Sequence, residues 1–146
     1  MKITVIGGGP GGLYFSILTK KAKPNWEITV YERNKPDDSF GFGVVFSDET
    51  LGEFLKRDMQ SYELIRSNFA YWDDIIVARD GQSVSVAGNG FCGCSRKTLL
   101  QLLHQRCREE GVNLHFEQNV DDLEQFSNSD IIVACDGIGS QIRTQF

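Results

Sequence analysis

Residues 2–33 read KITVIGGGPGGLYFSILTKKAKPNWEITVYER, and the order of residue types in this stretch decides the fold. Lys2 to Ile6 is a short apolar run suited to a buried strand. Five glycines follow within six positions: Gly7, Gly8, Gly9, Gly11 and Gly12. From Pro10 to about Lys21, Leu13, Tyr14, Ile17 and Leu18 recur at helical spacing. Pro10 stands in the first helical turn, where a missing N–H costs little, and Pro24 closes the stretch. Glu27 to Tyr31 alternates and carries Ile28 and Val30, which predicts a second strand. Strand, glycine loop, helix and strand within about thirty residues make a βαβ unit. The fold class is therefore α/β, with a Rossmann-like parallel central sheet.

The loop has a chemical reading as well. Gly7, Gly9 and Gly12 fit G-x-G-x-x-G between a strand and a helix. The first glycine permits the tight turn, the second lets the backbone approach a pyrophosphate, and the third lets helix and strand pack closely. Pro10 and Gly11 lie between them, and the helix N-terminus offers N–H groups and a positive dipole end to phosphates. Glu32 closes the second strand, twenty residues after Gly12. A carboxylate there accepts hydrogen bonds from adenosine ribose hydroxyls and disfavours a 2′-phosphate, which argues against NADP at this position. Arg33 is placed to lie against the adenine; the competing reading is a solvated surface cation. Spacing alone leaves NAD and FAD both open.

The rest of the chain departs from a plain NAD domain. Residues 33–58, RNKPDDSFGFGVVFSDETLGEFLKRD, begin as a loop, and Ser47 is a suitable N-cap for a helix starting near Asp48. A second short helix is predicted across Ser61 to Asn68. Residues 71–88, YWDDIIVARDGQSVSVAG, read as a hairpin turning at Asp80-Gly81. Ser95 is suited to cap a helix from about Arg96 to Glu110, with Leu99, Leu102, Leu103 and Cys107 as its buried stripe and Gly111 as its stop. Val112 to Phe116 alternates as a strand. Residues 130–135, DIIVAC, form a near-continuous apolar run, as expected of a central parallel strand. Loops, two helices and a hairpin thus separate the second parallel strand from the third.

Composition narrows the function classes. A chain of 146 residues, 40% hydrophobic and 24% charged, suffices for one domain with its own core. A net charge of −5 argues against nucleic-acid binding. No apolar run is long enough to span a bilayer, and no secretory pattern precedes the first strand, so a cytoplasmic location is expected. The four cysteines, Cys92, Cys94, Cys107 and Cys135, match no common zinc spacing and are expected to be reduced packing residues. His104 and His115 have no third ligand nearby in sequence, so no metal site is expected. No residue stands out as a general base, and the catalytic residues stay unassigned.

Three stretches together carry a family resemblance: residues 5–34, VIGGGPGGLYFSILTKKAKPNWEITVYERN; residues 94–112, CSRKTLLQLLHQRCREEGV; and residues 131–143, IIVACDGIGSQIR. They resemble the FAD-binding part of the flavoprotein aromatic hydroxylases, the monooxygenases similar to p-hydroxybenzoate hydroxylase. The last stretch resembles that family's Asp-Gly motif, with Asp136 and Gly137 followed by Ser140 and Arg143. The resemblance implies that this motif lies near the flavin pyrophosphate and takes part in handling the nicotinamide donor. It also implies that Arg96 contacts the flavin cofactor and that the backbone of Val120 meets the adenine. Residues 31–51, YERNKPDDSFGFGVVFSDETL, narrow the resemblance to the N-terminal flavin module of the salicylyl-CoA 5-hydroxylase and 2-aminobenzoyl-CoA monooxygenase group. The activity so implied is hydroxylation of an aromatic substrate, an aryl-CoA in the narrower reading, using FAD, NAD(P)H and O2.

Members of that family are longer, with a substrate-binding sheet and a second, Gly-Asp motif that holds the ribityl chain. The expectation is therefore an FAD-binding domain over residues 1–146, truncated before the substrate domain and lacking efficient hydroxylase activity on its own. Two other readings stay open. One is a fragment of an amine or thiol oxidase on the same flavin fold, against which the Asp-Gly motif speaks. The other is a non-catalytic module that self-associates as a homo-oligomer through an exposed apolar face.

Overall fold

The structure, a computed structural model, describes residues 1–88 and 90–145. The chain divides into two compact units, Met1–Ser39 with Leu100–Phe146, and Phe40–Leu99.

The first unit is built on the βαβ stretch. Strand β1 (Lys2–Ile6), helix α1 (Pro10–Ala22) and strand β2 (Glu27–Tyr31) fall where the residue pattern puts them. Strands β8 (Asn113–His115) and β9 (Ile131–Ala134) complete a four-stranded sheet in the order β8-β2-β1-β9, parallel throughout. Ile3, Val5, Ile28 and Val30 are buried in this sheet, and Leu13 and Ile17 of α1 are fully buried with them. Helix α4 (Arg96–Glu110) contributes Leu102, Leu103 and Cys107 to the same core, and the Cys107 thiol donates to the Leu13 carbonyl at 3.6 Å. Burial pushes that thiol up to about 12. Gly111 ends α4 with φ +80°, a conformation that favours glycine.

The expectation for the DIIVAC run needs correction. Strand β9 is not central; it lies at one edge of the described sheet, and Ile131 is 42% exposed. An apolar run signals burial on both faces, but it carries no information about which side of the strand is paired.

The second unit holds strand β3 (Gly43–Ser47), helices α2 (Asp48–Arg57) and α3 (Met59–Asn68), strand β4 (Ala70–Trp72), the hairpin β5 (Ile75–Arg79) and β6 (Gln82–Val86), and strand β7 (Phe91–Ser95). The predicted caps hold: Ser47 Oγ accepts from Thr50 N–H at 3.3 Å, and Ser95 Oγ accepts from Thr98 N–H at 3.0 Å. The hairpin turns at Asp80 (φ +51°) and Gly81 (φ +77°), both left-handed as a two-residue type I′ turn requires. Its extent is shorter than the sequence suggests. Tyr71 and Trp72 pair instead with β7, in an antiparallel sheet ordered β3-β7-β4. Strand β3 falls within the segment read as loop, and β7 has no strand signal at all. Both are glycine-bearing. A Cβ on Gly93 would lie 2.8 Å from the Val44 carbonyl and 3.1 Å from the Trp72 ring, so a residue that ordinarily weakens a strand is here required by close approach. All four cysteines are free thiols.

Candidate cofactor-binding site

The carboxyl ends of β2, β1 and β9 bring three loops together, where open α/β sheets bind ligands. Gly7 leaves β1 with φ +109°, and a Cβ there would run into the Cys135 carbonyl and come within 2.8 Å of Asp136 N. A Cβ on Gly12 would run into the Gly7 carbonyl and come within 3.3 Å of Val5. These two glycines are therefore fixed by packing. Gly9 and Gly11 differ: a Cβ at either position would meet nothing within 4 Å. Gly9 caps α1 in an extended conformation (φ −72°, ψ 171°), with Pro10 next, and its carbonyl accepts Leu13 N–H at 3.0 Å. The N–H groups of Gly11 and Gly12 have no acceptor among the described residues. Open space in front of unpartnered helix N–H groups fits the phosphates of a dinucleotide.

Glu32 lies beside this loop. Its Oε2 accepts Gly8 N–H at 2.7 Å, and its Oε1 accepts Asn34 N–H at 2.8 Å and Asn34 Nδ2–H at 2.6 Å. Arg33 is exposed, and its guanidinium pairs with no described residue. On the far side of β2, Glu32 N–H donates to the His115 carbonyl and Gln118 N–H donates to the Glu32 carbonyl, both within 2.9 Å. This ties the segment after β8 to the site. Further along that segment, Val120 is buried with Ile6, Phe126 and Ile142. Its main-chain N–H and carbonyl make no hydrogen bond among the described residues, so both are available to a base edge.

Asp136 follows β9, and its carboxylate organises its own turn. Oδ1 accepts the Ser140 hydroxyl at 2.6 Å and Oδ2 accepts Ile142 N–H at 3.3 Å. Ser140 Oγ in turn accepts Arg143 N–H at 2.9 Å, and Arg143 Nη2 donates to the Ile138 carbonyl at 2.7 Å. Burial works to raise the Asp136 carboxyl, but the Ser140 hydroxyl and the N–H groups of Ile142, Asp136 and Gln141 outweigh it and hold the group below its ordinary value. Gly137 has φ +91° with open space around it. A cavity of about 520 Å³ opens here, polar at Asp136 and Ser140, apolar at Leu123, Ile132 and Ile142.

Arg96 belongs to the second unit. It is half-buried at the start of α4, with no side-chain partner among the described residues. The first unit thus collects Gly7, Gly9, Pro10, Gly11, Gly12, Glu32, Arg33, Val120, Asp136 and Gly137. Sequence reading missed Gly8 and Asn34, which fix the Glu32 carboxylate. The available signal was an Asn two residues beyond the strand-end Glu, a residue type that bonds to nearby groups where a strand gives way to a turn. His115 stacks on Tyr31 at 5.2 Å and His104 packs edge-on against Phe116 at 4.9 Å.

The family model described as lycopene cyclase protein matches residues 2–146. The chain belongs to the lycopene cyclase protein family. Among curated relatives, salicyloyl-CoA 5-hydroxylase from Streptomyces sp is 46% identical over all of this chain and 28% of its own length. The 3-hydroxy-4-methyl-anthranilyl-[aryl-carrier protein] 5-monooxygenase of Streptosporangium sibiricum is 33% identical over 98% of this chain and 40% of its own. The chain therefore spans 28–40% of the length of these relatives. Among solved structures, the tetrameric form of 2-methyl-3-hydroxypyridine-5-carboxylic acid oxygenase superposes with a TM-score of 0.80 at 21% identity, over 96% of this chain and 40% of that one. The resemblance to flavoprotein aromatic hydroxylases, drawn from the three motif stretches, is borne out as similarity to these hydroxylase and monooxygenase relatives, and the Rossmann-like α/β fold is that of the solved oxygenase. Among the described residues no helix is long and apolar enough to cross a membrane.

Proposed function

We propose that this chain is the FAD-binding portion of a flavoprotein monooxygenase that hydroxylates an aromatic substrate, an aryl-CoA thioester in the narrower reading. The observation that carries the proposal is the open space at Gly9 in front of the unpartnered N–H groups of Gly11 and Gly12, flanked by a carboxylate at Glu32 on one side and the Asp136-Gly137 turn on the other. Those N–H groups hold the pyrophosphate. Glu32 accepts a hydrogen bond from the adenosine ribose, Arg33 lies against the adenine, and the Val120 main chain meets its edge. Asp136 keeps Gly137 in place beside the phosphates. When bound, FAD would supply the redox chemistry that links NAD(P)H to O2.

The protein must also exclude water around the reacting flavin, and the residues named here all serve the adenosine and pyrophosphate half of the cofactor. We therefore expect no product formation tightly coupled to NAD(P)H use from this chain alone. A cytoplasmic location belongs to the same proposal. The direct test is a spectral titration with FAD, followed by competition. ADP should displace FAD and riboflavin should not; displacement by riboflavin alone would contradict the assignment of this half-site.

A second reading has one observation in its favour. In the β5–β6 hairpin, Ile75 faces Val86 and Val77 faces Val84 on one side of the ribbon, and all four are exposed. Such a face favours self-association of a non-catalytic module.

A further inference from the structure

The Glu32 carboxylate is held by three donors of this chain, and their distribution is uneven. A carboxylate oxygen offers two in-plane lone pairs. Oε1 receives both the main-chain N–H and the Nδ2–H of Asn34, and is filled by that residue alone. Oε2 receives only Gly8 N–H and keeps one acceptor direction. The orientation of the Asn34 amide follows from chemistry: a carboxylate only accepts, so the atom 2.6 Å from Oε1 must be the nitrogen. Asn34 is itself anchored. Its carbonyl accepts Glu117 N–H at 3.1 Å, and Glu117 holds a left-handed φ of +57°. Gly8 fits closely enough that a Cβ there would lie 2.8 Å from Glu32 Cβ, so the carboxylate is clamped from the loop side as well.

We propose that Asn34 is the positioning residue that sets the sugar specificity of this site. By saturating Oε1, it leaves Glu32 a single acceptor, at Oε2 beside the glycine loop, for the ribose 2′-hydroxyl. The inference rests on the reading of Glu32 as the ribose acceptor given above. Asn34 acts through Glu32 and does not touch the sugar. Without the Nδ2 donor, Oε1 regains a lone pair, and the carboxylate turns about a broad terminal torsion. The hydroxyl then loses its fixed partner, while the phosphate grip of Gly11 and Gly12 is untouched. Discrimination between sugars falls, and phosphate-driven affinity does not.

The test is calorimetric binding of ADP and of 2′-deoxy-ADP to the wild-type chain, Asn34→Ala and Asn34→Asp, with a thermal melt of each. Wild type is expected to bind ADP about tenfold more tightly than the deoxy analogue, the size of one hydrogen bond to a charged acceptor. In Asn34→Ala the ratio should fall to about threefold or less, with 2′-deoxy-ADP affinity within about twofold of wild type. A merely structural role would weaken both ligands together and leave their ratio unchanged. Asn34→Asp keeps the size of the side chain but removes the donor, and should abolish the ratio even if the alanine variant melts too low to measure. If wild type discriminates and both variants keep the full ratio, the role of Asn34 is overturned and the Glu32 reading stands. If wild type binds both ligands equally, or neither, the Glu32 reading is overturned and the role of Asn34 with it.

Discussion

Gly9 and Gly12 share a loop but answer to different constraints. A methyl on Gly12 would run into the Gly7 carbonyl, whereas one on Gly9 would point into open space from a backbone conformation any residue adopts. Gly12→Ala should therefore destabilise the fold by about 1–3 kcal/mol, the usual cost of overpacking, and urea unfolding measures it. Gly9→Ala should leave stability unchanged within about 0.5 kcal/mol, as for a surface site. Asp136 makes a prediction about pH. Its carboxyl is depressed in the folded state below an ordinary value of 3.8. Its stabilising contribution is thus complete above that value and is lost as the pH falls through the depressed one. Wild type should exceed Asp136→Asn in stability by a constant margin from neutral pH down to about 5, and the margin should shrink below about pH 4. A margin that instead grew in acid would show that the turn does not hold the ionised form. The glycine spacing and Glu32 were legible because each follows from backbone geometry at one place. Asn34 was not, because its role depends on which Glu32 oxygen Gly8 already occupies.

Helices announce themselves where their caps are local. Ser95 precedes α4 and accepts Thr98 N–H, three residues on, and the whole helix was legible from that serine, its apolar stripe and Gly111. Ser95→Ala should lower stability by about 1 kcal/mol in chemical denaturation, and Ser95→Asp should restore most of it. Strands were less legible wherever pairing overrode propensity. The Asp80-Gly81 turn is a two-residue signal and was found. Strands β3 and β7 depend on Gly43 and Gly93 fitting under partners distant in sequence, which no short window contains. The same limit misplaced β9: its residues are as apolar as a central strand demands, but the side of the strand left unpaired is a property of the sheet. Cys107 is an element-scale probe. It joins α4 to α1 and its thiol is pushed up to about 12. It should resist alkylation at pH 8 in the folded protein and react only on unfolding, whereas the less buried Cys94 should be modified without unfolding.

At the scale of the whole molecule, the proposed function assigns the described residues to the adenosine and pyrophosphate half of a flavin site, in a chain that spans 28–40% of the length of its curated relatives. The exposed hairpin face of Ile75, Val77, Val84 and Val86 should make the protein self-associate. Sedimentation velocity should show an average mass rising with concentration, and Val77→Ser with Val84→Ser should reduce it. A monomer at every concentration would remove self-association from the account. The central claim is that the glycine loop seats the FAD pyrophosphate. The measurement that tests it most directly is an FAD titration, followed by flavin absorbance, of wild type beside Gly9→Leu, with a melt of both. The account predicts saturable binding by wild type and its loss in Gly9→Leu at an unchanged melting temperature, because the leucine fills the space meant for phosphate. Equal binding by both proteins would contradict it.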